Sequence, residues 1–379
     1  MTEQTTPLVM PPGREYESGW ANPMAGDTRF SWEYDGGREK LLALYQKGKD
    51  KQWDGLRRID WDLDVDPFDV LGTPDDQLSI YGSRQWDKLG PRDRQELKQH
   101  LAAWEFSQFL HGEQGAIICA ARIVEAVPDL DSKFYAATQV MDEARHAEIF
   151  AKFLREKVKL SYPVNRSLQA LLGDALSDSR WDMPYVAMQV LIEGLALAAF
   201  GVLRDRTDKP LPKQMLAYIM QDEARHVAFG RMALRDYYAE LSPAELAERE
   251  EFVIEGCYLM RDRFQMQEVW ETLGYDVAEC MDYMHRGPRV RAFRTHLFSR
   301  IVPCVKDIGL WSPKVRDTFE KMGVLDMAKR DLDAVLREDE DEADRLEAHL
   351  REVAVRKNEV AGVIALADEG GGDGQPQHV

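Results

Sequence analysis

Apolar residues recur every three or four positions through most of this chain. The segments carrying that period are long, at 38–53, 92–126, 130–158, 183–206, 211–240, 243–272 and 313–360, with Pro and Gly at the breaks. Runs that alternate apolar and polar residues, the mark of a half-buried strand, are scarce. The pattern predicts an all-α protein. Residues 1–38 mix Pro, Gly and polar residues without a period and read as a flexible N-terminal arm, while 367–379 (ADEGGGDGQPQHV) read as a disordered tail. A helical domain is expected over 39–310 and a C-terminal helical extension over 311–366. The stretch IDWDLDVDPFD (59–69) stops helix at Pro67. Its acids suggest a calcium loop, but the Gly and Glu that such a loop needs at its sixth and twelfth positions are missing in both registers. Counting from Asp60 gives Val65 and Leu71, and from Asp62 gives Pro67 and Thr73, so an acidic turn is expected.

Composition narrows the partners. The 379 residues are 44% hydrophobic, enough for a sizeable core, and carry a formal net charge of −18, which argues against nucleic acid. No apolar run approaches the ~20 residues that span a bilayer, so no membrane partner is expected. The N-terminus lacks a basic start followed by an apolar block, and no signal peptide is read there. Cys119, Cys257, Cys280 and Cys304 have no metal or redox spacing. They read as buried thiols of a reducing compartment, and a cytoplasmic location is expected. The acidic run at 337–349 reads as a solvated helix face.

The pentapeptide Asp-Glu-Ala-Arg-His occurs twice, at Asp142–His146 and Asp222–His226. Each copy supplies Glu-x-x-His, and on a helix positions i and i+3 share a face. Thirty residues before Glu143 stands Glu113, and thirty before Glu223 stands Glu193, both in apolar surroundings beside a Gly. Buried carboxylates are expensive unless paired or bound to metal. Thirty residues also suit one helix up, a turn and the next helix down, at about 1.5 Å per residue. Pro-containing turns, AVPDLDSK and RTDKPLPK, lie at matching places. Two such hairpins form a four-helix bundle holding Glu113, Glu143, His146, Glu193, Glu223 and His226, the ligand set of dinuclear carboxylate bundles. Four carboxylates offset two divalent cations, and oxygen with imidazole donors and no thiolate suits iron or manganese. Two Fe ions are expected, with Mn an alternative at one or both sites. Asp142 and Asp222 cannot share the face of the adjacent Glu. Each is expected to accept a hydrogen bond from the histidine of the opposite repeat, with Arg145 and Arg225 neutralising the aspartates.

On these residues the chain resembles the ferritin-like superfamily of di-iron carboxylate proteins. That group includes ferritins, rubrerythrins, ribonucleotide reductase small subunits, soluble acyl-carrier-protein desaturases and bacterial multicomponent monooxygenases. The resemblance covers about residues 92–240 and implies a ferritin-like four-helix bundle with a di-metal centre, extended by N- and C-terminal helices. It also marks departures. Phe150 stands where reductase small subunits keep a radical Tyr, and Leu197 where monooxygenase hydroxylases place a Thr. Ile219 stands where arylamine N-oxygenases add a seventh ligand, a His. No redox-active side chain is expected beside the six ligands.

Long extensions around the bundle favour an O2-activating oxygenase that hydroxylates, N-oxygenates or desaturates an apolar or aromatic substrate. A ferroxidase or peroxide-scavenging protein is the alternative. Ala116, Ile117 and Ala120 beyond Glu113, and Leu197 and Phe200 beyond Glu193, are the candidate substrate-pocket residues. Lacking a Gly-rich nucleotide loop and an iron–sulfur cysteine set, the chain is expected to draw electrons from a separate ferredoxin or reductase. The segment 44–61 resembles one found in oxygenase-like members. Arg286, Arg289, Arg291, Arg294 and Arg300, with no acid among them, either pair with the chain's own acids or form a dock for an acidic partner. A homodimer is also expected.

Overall fold

The computed structural model describes residues 8–14, 21, 26–31, 34 and 37–370. Among them every regular element is helical. Helix α1 (Glu39–Asp50) and the single turns α2 (Gly55–Arg58) and α3 (Arg84–Asp87) precede the bundle. Its first hairpin is α4 (Pro91–Ala126) and α5 (Leu130–Phe153), the latter running into a π-helical turn at Leu154–Val158. After α6 (Arg166–Ser177) and the turn α7 (Met183–Tyr185), a π-helical segment over Val186–Ile192 leads into α8 (Glu193–Arg206). Helix α9 (Pro210–Tyr238) completes the second hairpin. The remainder is α10 (Pro243–Arg263), α11 (Gln267–Thr272), α12 (Val277–Arg286), α13 (Pro288–Leu297), α14 (Ile301–Asp307), α15 (Pro313–Met322) and α16 (Leu332–Gly370).

Local chemistry sets these limits. Pro91 and Pro210 occupy the first positions of α4 and α9, where a missing N–H costs nothing. Asp129 caps α5 by accepting from the Ser132 N–H at 2.9 Å. Helix α10 opens on a reciprocal Ser242–Glu245 box. The period seen over 313–360 is interrupted, because Gly323 closes α15 in the left-handed conformation (φ 73°) and a 3-10 turn intervenes before α16. Helix α16 continues through residues 367–370 of the expected tail, and 371–379 lie outside the described residues.

Three other expectations change. The described parts of the arm are docked: Ser161 N–H donates to the Val9 carbonyl at 2.7 Å, and Arg14 reaches Thr272 and Glu271 at 3.0 and 2.9 Å. Met183–Arg206 is long and apolar enough to cross a bilayer, although Gln189 and Glu193 interrupt its run. It is 83% buried, as a core helix of the bundle would be. The acidic run is not simply solvated. Asp339 forms a buried pair with Arg300 at 2.7 Å, while Glu340, Asp344 and Glu347 pair with Lys47, Lys51 and Arg58 at 2.6, 3.0 and 2.6 Å. One face of α16 thereby ties α1 and α2 to the bundle along α9.

The basic cluster of 286–300 is also dispersed. Arg300 is consumed by Asp339, Arg286 pairs with Asp282 at 2.7 Å, and Arg294 donates to the His285 carbonyl. Arg289 lies over the Tyr81 ring. The five arginines sit on different elements, Arg286 at the end of α12, Arg289, Arg291 and Arg294 on α13, and Arg300 past its end, where it is buried against Asp339.

A candidate dinuclear metal centre

Helices α4, α5, α8 and α9 each turn one carboxylate inward at the same level. Glu113, Glu143, Glu193 and Glu223, with His146 and His226, are all buried. Their donor atoms form two overlapping groups. One is Glu113, Glu143, His146 and Glu223, the other Glu143, Glu193, Glu223 and His226, and within each group the atoms lie within 4.8 Å of one another. Glu143 and Glu223 belong to both groups and would be shared by two cations, each of which would have one further Glu and one His of its own. Both histidines present Nδ1 to the centre: His146 Nδ1 is 3.0 Å from Glu223 and 3.3 Å from Glu143, and His226 Nδ1 is 3.0 Å from Glu143.

The opposite ring nitrogens point at the repeated aspartates. His146 Nε2 donates to Asp222 at 3.1 Å and His226 Nε2 to Asp142 at 3.2 Å, each across the bundle. Arg145 donates to Asp142 at 2.6 Å and to Asp222 at 2.8 Å. Arg225 pairs closely with Asp222 and sits 3.9 Å from Asp142. Such carboxylate–histidine contacts fix ring orientation and raise ligand basicity.

Several residues that complete this network escape the sequence pattern. Gln52 donates to Asp142 at 2.7 Å and Trp53 Nε1 to Asp222 at 2.8 Å, so the 44–61 segment reaches the centre through the aspartates. Gln139 bridges Glu143 and Glu193 at 2.9 and 2.8 Å and is itself held by Gln189 at 3.1 Å. Gly230 makes room for that contact, since a Cβ there would lie 2.4 Å from the Gln189 side chain. The π-helical segment carries Gln189 and ends at Glu193. Two oxidisable rings stand close, contrary to expectation: Trp53 through Asp222, and Tyr135, whose ring centroid is 6.5 Å from that of His226.

The carboxylates and imidazoles perturb one another strongly. Burial drives Glu113 and Glu193 well above the usual carboxylate range, reinforced by the charges of Glu223 and Glu143. Despite its burial, Glu143 is held low by His226 and His146. Both histidines are raised in spite of burial, His146 chiefly through Asp222 and His226 chiefly through Glu143. Glu143 Oε2, Glu193 Oε2 and His146 Nδ1 are buried without a hydrogen-bond partner. Six converging ligand residues, two of them shared and three carrying an orphaned atom, fit a pair of divalent cations.

Beside this cluster lies a cavity of about 20 Å³ whose wall includes Phe109, Gly112, Ala116, Met188, Ala196, Phe200 and Arg263, with Glu113, Glu193 and Glu223 at its base. Of the expected pocket residues, Ala116 and Phe200 line it. Leu197 and Ala120 are fully buried elsewhere in the core, and Ile117 is half-buried off the wall. The reason is direction. Helices α4 and α8 run antiparallel, so the cavity reaches back along α4 from Ala116 to Gln108 and forward along α8 to Phe200, on the face Glu193, Ala196, Phe200 that excludes Leu197. Phe106, Phe109, Phe150, Phe153 and Phe200 pack together at this end, with Phe109 and Phe200 centroids 4.6 Å apart.

The sequence profile of the p-aminobenzoate N-oxygenase AurF family matches residues 36–309, more than half of the chain. No curated protein matches. Among solved structures, the chain is similar to variants of an R2-like ligand-binding oxidase with reconstituted Mn/Fe cofactor. One shows 16% identity with a TM-score of 0.48 and another 16% with 0.46, each covering 74% of this chain and 100% of the other. The same oxidase with its metal cofactor after photoconversion gives 17% and 0.44 over the same shares.

Proposed function

The chain belongs to the AurF p-aminobenzoate N-oxygenase family, and on that premise we propose that it is an O2-activating dinuclear oxygenase acting on an apolar or aromatic organic substrate, with arylamines the first class to test. The observation that carries the substrate reading is the aromatic and aliphatic wall beside the ligands, formed by Phe109, Ala116, Met188, Ala196 and Phe200. A ferroxidase would need a polar iron path to the same place, and the family assignment sets that alternative aside. Bound at the six ligands, two iron ions, or manganese at one or both sites, would supply the reduction of O2.

The protein's own groups have separable roles. Asp142 and Asp222 hold each imidazole with Nδ1 inward, and against its burial the charges of Arg225, His146 and Arg145 keep Asp222 ionised. Gln139 fixes the planes of Glu143 and Glu193. The phenylalanine cluster excludes water from the side where the organic molecule would sit. Buried Ile219 occupies the position of the additional His of arylamine N-oxygenases, so C-hydroxylation and desaturation stay beside N-oxygenation as outcomes. The four cysteines are buried and dispersed, which favours a separate electron donor.

The test measures O2 uptake and organic product together, with a chemical reductant and a panel of arylamines and aromatic acids. The parent protein should couple the two. Ala196→Phe, which fills the cavity from a position that is not itself a ligand, should keep two metals per chain and O2 uptake but lose product at least ~10-fold. Rapid iron oxidation to a ferric mineral with no organic product would overturn the reading.

A further inference from the structure

The aromatic side chains around the metal centre are sorted by kind. On the cavity side, Phe150 and Phe200 lie seven residues after the ligands Glu143 and Glu193, and the rings they meet are Phe106, Phe109 and Phe153. In the opposite direction, Tyr135 and Tyr185 lie eight residues before the same two ligands. The Tyr135 ring centroid is 6.5 Å from that of the ligand His226. From Tyr135 the ring contacts continue to Phe229 at 4.2 Å, Tyr185 at 5.3 Å, Trp181 at 5.7 Å, Tyr237 at 4.6 Å and Tyr238 at 5.8 Å. Tyr135, Phe229, Tyr185 and Tyr238 are buried, whereas Trp181 and Tyr237 are half-buried. Tyr237 follows His226 by eleven residues on α9, so the row runs about 16 Å along the bundle at 1.5 Å per residue.

Ring contacts of this kind are ordinary core packing in themselves. Two features set this row apart. A phenol or an indole loses an electron far more readily than a benzene ring, so the rings facing the cavity resist one-electron oxidation and those on the opposite side do not. The row also ends on a base. The Tyr238 hydroxyl donates to Asp182 at 3.0 Å, and Arg249 holds that carboxylate at 3.0 and 3.2 Å. Burial, then the Asp182 charge, pushes the Tyr238 phenol well up, so it keeps its proton until an electron leaves. The other oxidisable ring near the centre, Trp53, has the guanidiniums of Arg145 and Arg58 over it at 4.9 and 5.4 Å. Cations on the face of an indole oppose the loss of an electron from it.

We propose that Tyr135, Tyr185, Trp181, Tyr237 and Tyr238 form a one-electron route that discharges the oxidised dinuclear centre when no organic substrate is bound. This rests on the reading of the centre as O2-activating. Tyr238 gives up one electron, and its phenolic proton passes along the 3.0 Å hydrogen bond to Asp182. The electron moves inward by way of Tyr237, Trp181, Tyr185 and Tyr135 and reduces the centre beside His226 by one electron. Tyr238 is left as a neutral phenoxyl radical and Asp182 as a carboxylic acid. A soluble one-electron reductant of the ascorbate class then supplies an electron at half-buried Trp181 or Tyr237, and the proton returns from Asp182 to Tyr238. Phe229 bridges two phenols without being oxidised. Tyr135 and Tyr185 pass the electron without holding the radical, because among the described residues no carboxylate accepts from either hydroxyl. Substrate in the cavity, on the phenylalanine side, is the nearer reductant and leaves the route idle.

The first measurement mixes the ferrous-loaded full chain with O2 in the absence of organic substrate. Freeze-quench electron paramagnetic resonance of the parent should show a phenoxyl or indole radical. Peptide mass spectrometry after repeated cycles should find added oxygen at Trp181, Tyr237 or Tyr238. Tyr185→Phe, which keeps a ring in place but interrupts the route, should lose most of those marks while its metal content and melting temperature match the parent. The second measurement needs no metal. Azidyl radicals from pulse radiolysis oxidise accessible indoles of the metal-free protein, and part of the indole-radical signal should pass to a phenoxyl signal at a rate independent of protein concentration. Trp181→Phe should abolish that part. No radical in the O2-treated parent, the same marks in Tyr185→Phe, or a conversion untouched by Trp181→Phe would overturn the proposal. Organic product in the coupled assay beside any of those results would sink this inference and spare the oxygenase reading, whereas no O2 uptake at all would sink both.

Discussion

Asp222→Asn is the most informative single change at the centre. The carboxylate is fully buried and accepts from Trp53 Nε1 at 2.8 Å, Arg145 at 2.8 Å and His146 Nε2 at 3.1 Å, besides its close pair with Arg225. Asparagine keeps the shape and one acceptor oxygen but removes the charge that both arginines face. Breaking a buried ion pair by neutralising one partner costs about 3–5 kcal/mol, because the other charge stays buried. At roughly 2 °C per kcal/mol for a chain of this size, the metal-free protein should melt about 6–10 °C lower. Loss of the anion that orients His146 should separately weaken metal binding by about 10–100-fold. With four donors converging on one buried carboxylate, the fold as well as the metal depends on Asp222.

The partner variant supplies the control. Asp142 receives Gln52 at 2.7 Å, Arg145 at 2.6 Å and His226 at 3.2 Å, but stands 3.9 Å from Arg225. Asp142→Asn should therefore cost less stability than Asp222→Asn while lowering metal affinity by a similar factor. Calorimetric unfolding of the metal-free proteins and chelator competition on the loaded ones read the two effects apart. An unchanged melting temperature in Asp222→Asn, or a larger loss in Asp142→Asn, would refute the reasoning.

Two further expectations follow from the same geometry. Because Glu143 serves both ligand groups and Glu113 only one, Glu143→Ala should lose both metals and Glu113→Ala about one, as counted by elemental analysis after iron reconstitution. Burial raises the Glu105 carboxyl from 4.5 to about 7, with Arg206 opposing, so the folded state holds a proton that the unfolded state has released. Stability should fall as pH rises from about 4.5 through about 7, and Glu105→Gln should remove up to about 3 kcal/mol of that decline in denaturant titrations across the window.

Much of this site is legible in the chain because its information is local and doubled. Two copies of Asp-Glu-Ala-Arg-His, each thirty residues after a lone Glu, specify four helices and which face of each turns inward. Adjacent positions on a helix point about 100° apart, so the aspartates could be assigned to the opposite histidines from the pentapeptide alone. What is not legible depends on distant packing. Gln139 reaches Glu193 across 54 positions, and nothing in its own surroundings marks it. Spacing along each helix points past Glu113 and Glu193 alike, but antiparallel helices carry those two directions apart, so Ala116 and Phe200 line the cavity while Ala120 and Leu197 do not. Arg300 and Asp339, 39 residues apart, look like members of two surface charge runs until the fold buries them against each other.

The charge count of the centre makes a last quantitative demand. Four glutamates and the two aspartates carry six negative charges, and Arg145 and Arg225 return two, leaving −4 in a buried volume. Two divalent cations cancel that sum. Without them the cancellation falls to protons, and the directions of the shifts say where they go: Glu113 and Glu193 are raised and keep theirs, while His146 and His226 are raised and gain one each. Two neutralised carboxyls and two imidazoliums again bring the total to zero. Metal loading near neutral pH must then expel about four protons per chain, since ligating carboxylates and imidazoles bind metal deprotonated. Apparent metal affinity should fall steeply as pH drops, in the direction of proton competition. Calorimetric titration of the metal-free protein with ferrous ion under argon, repeated in buffers of different ionisation enthalpy, reads the proton number directly. A release near four supports this charge balance. A release of one or fewer would mean that the carboxylates are already ionised, and that another cation neutralises the centre before metal arrives.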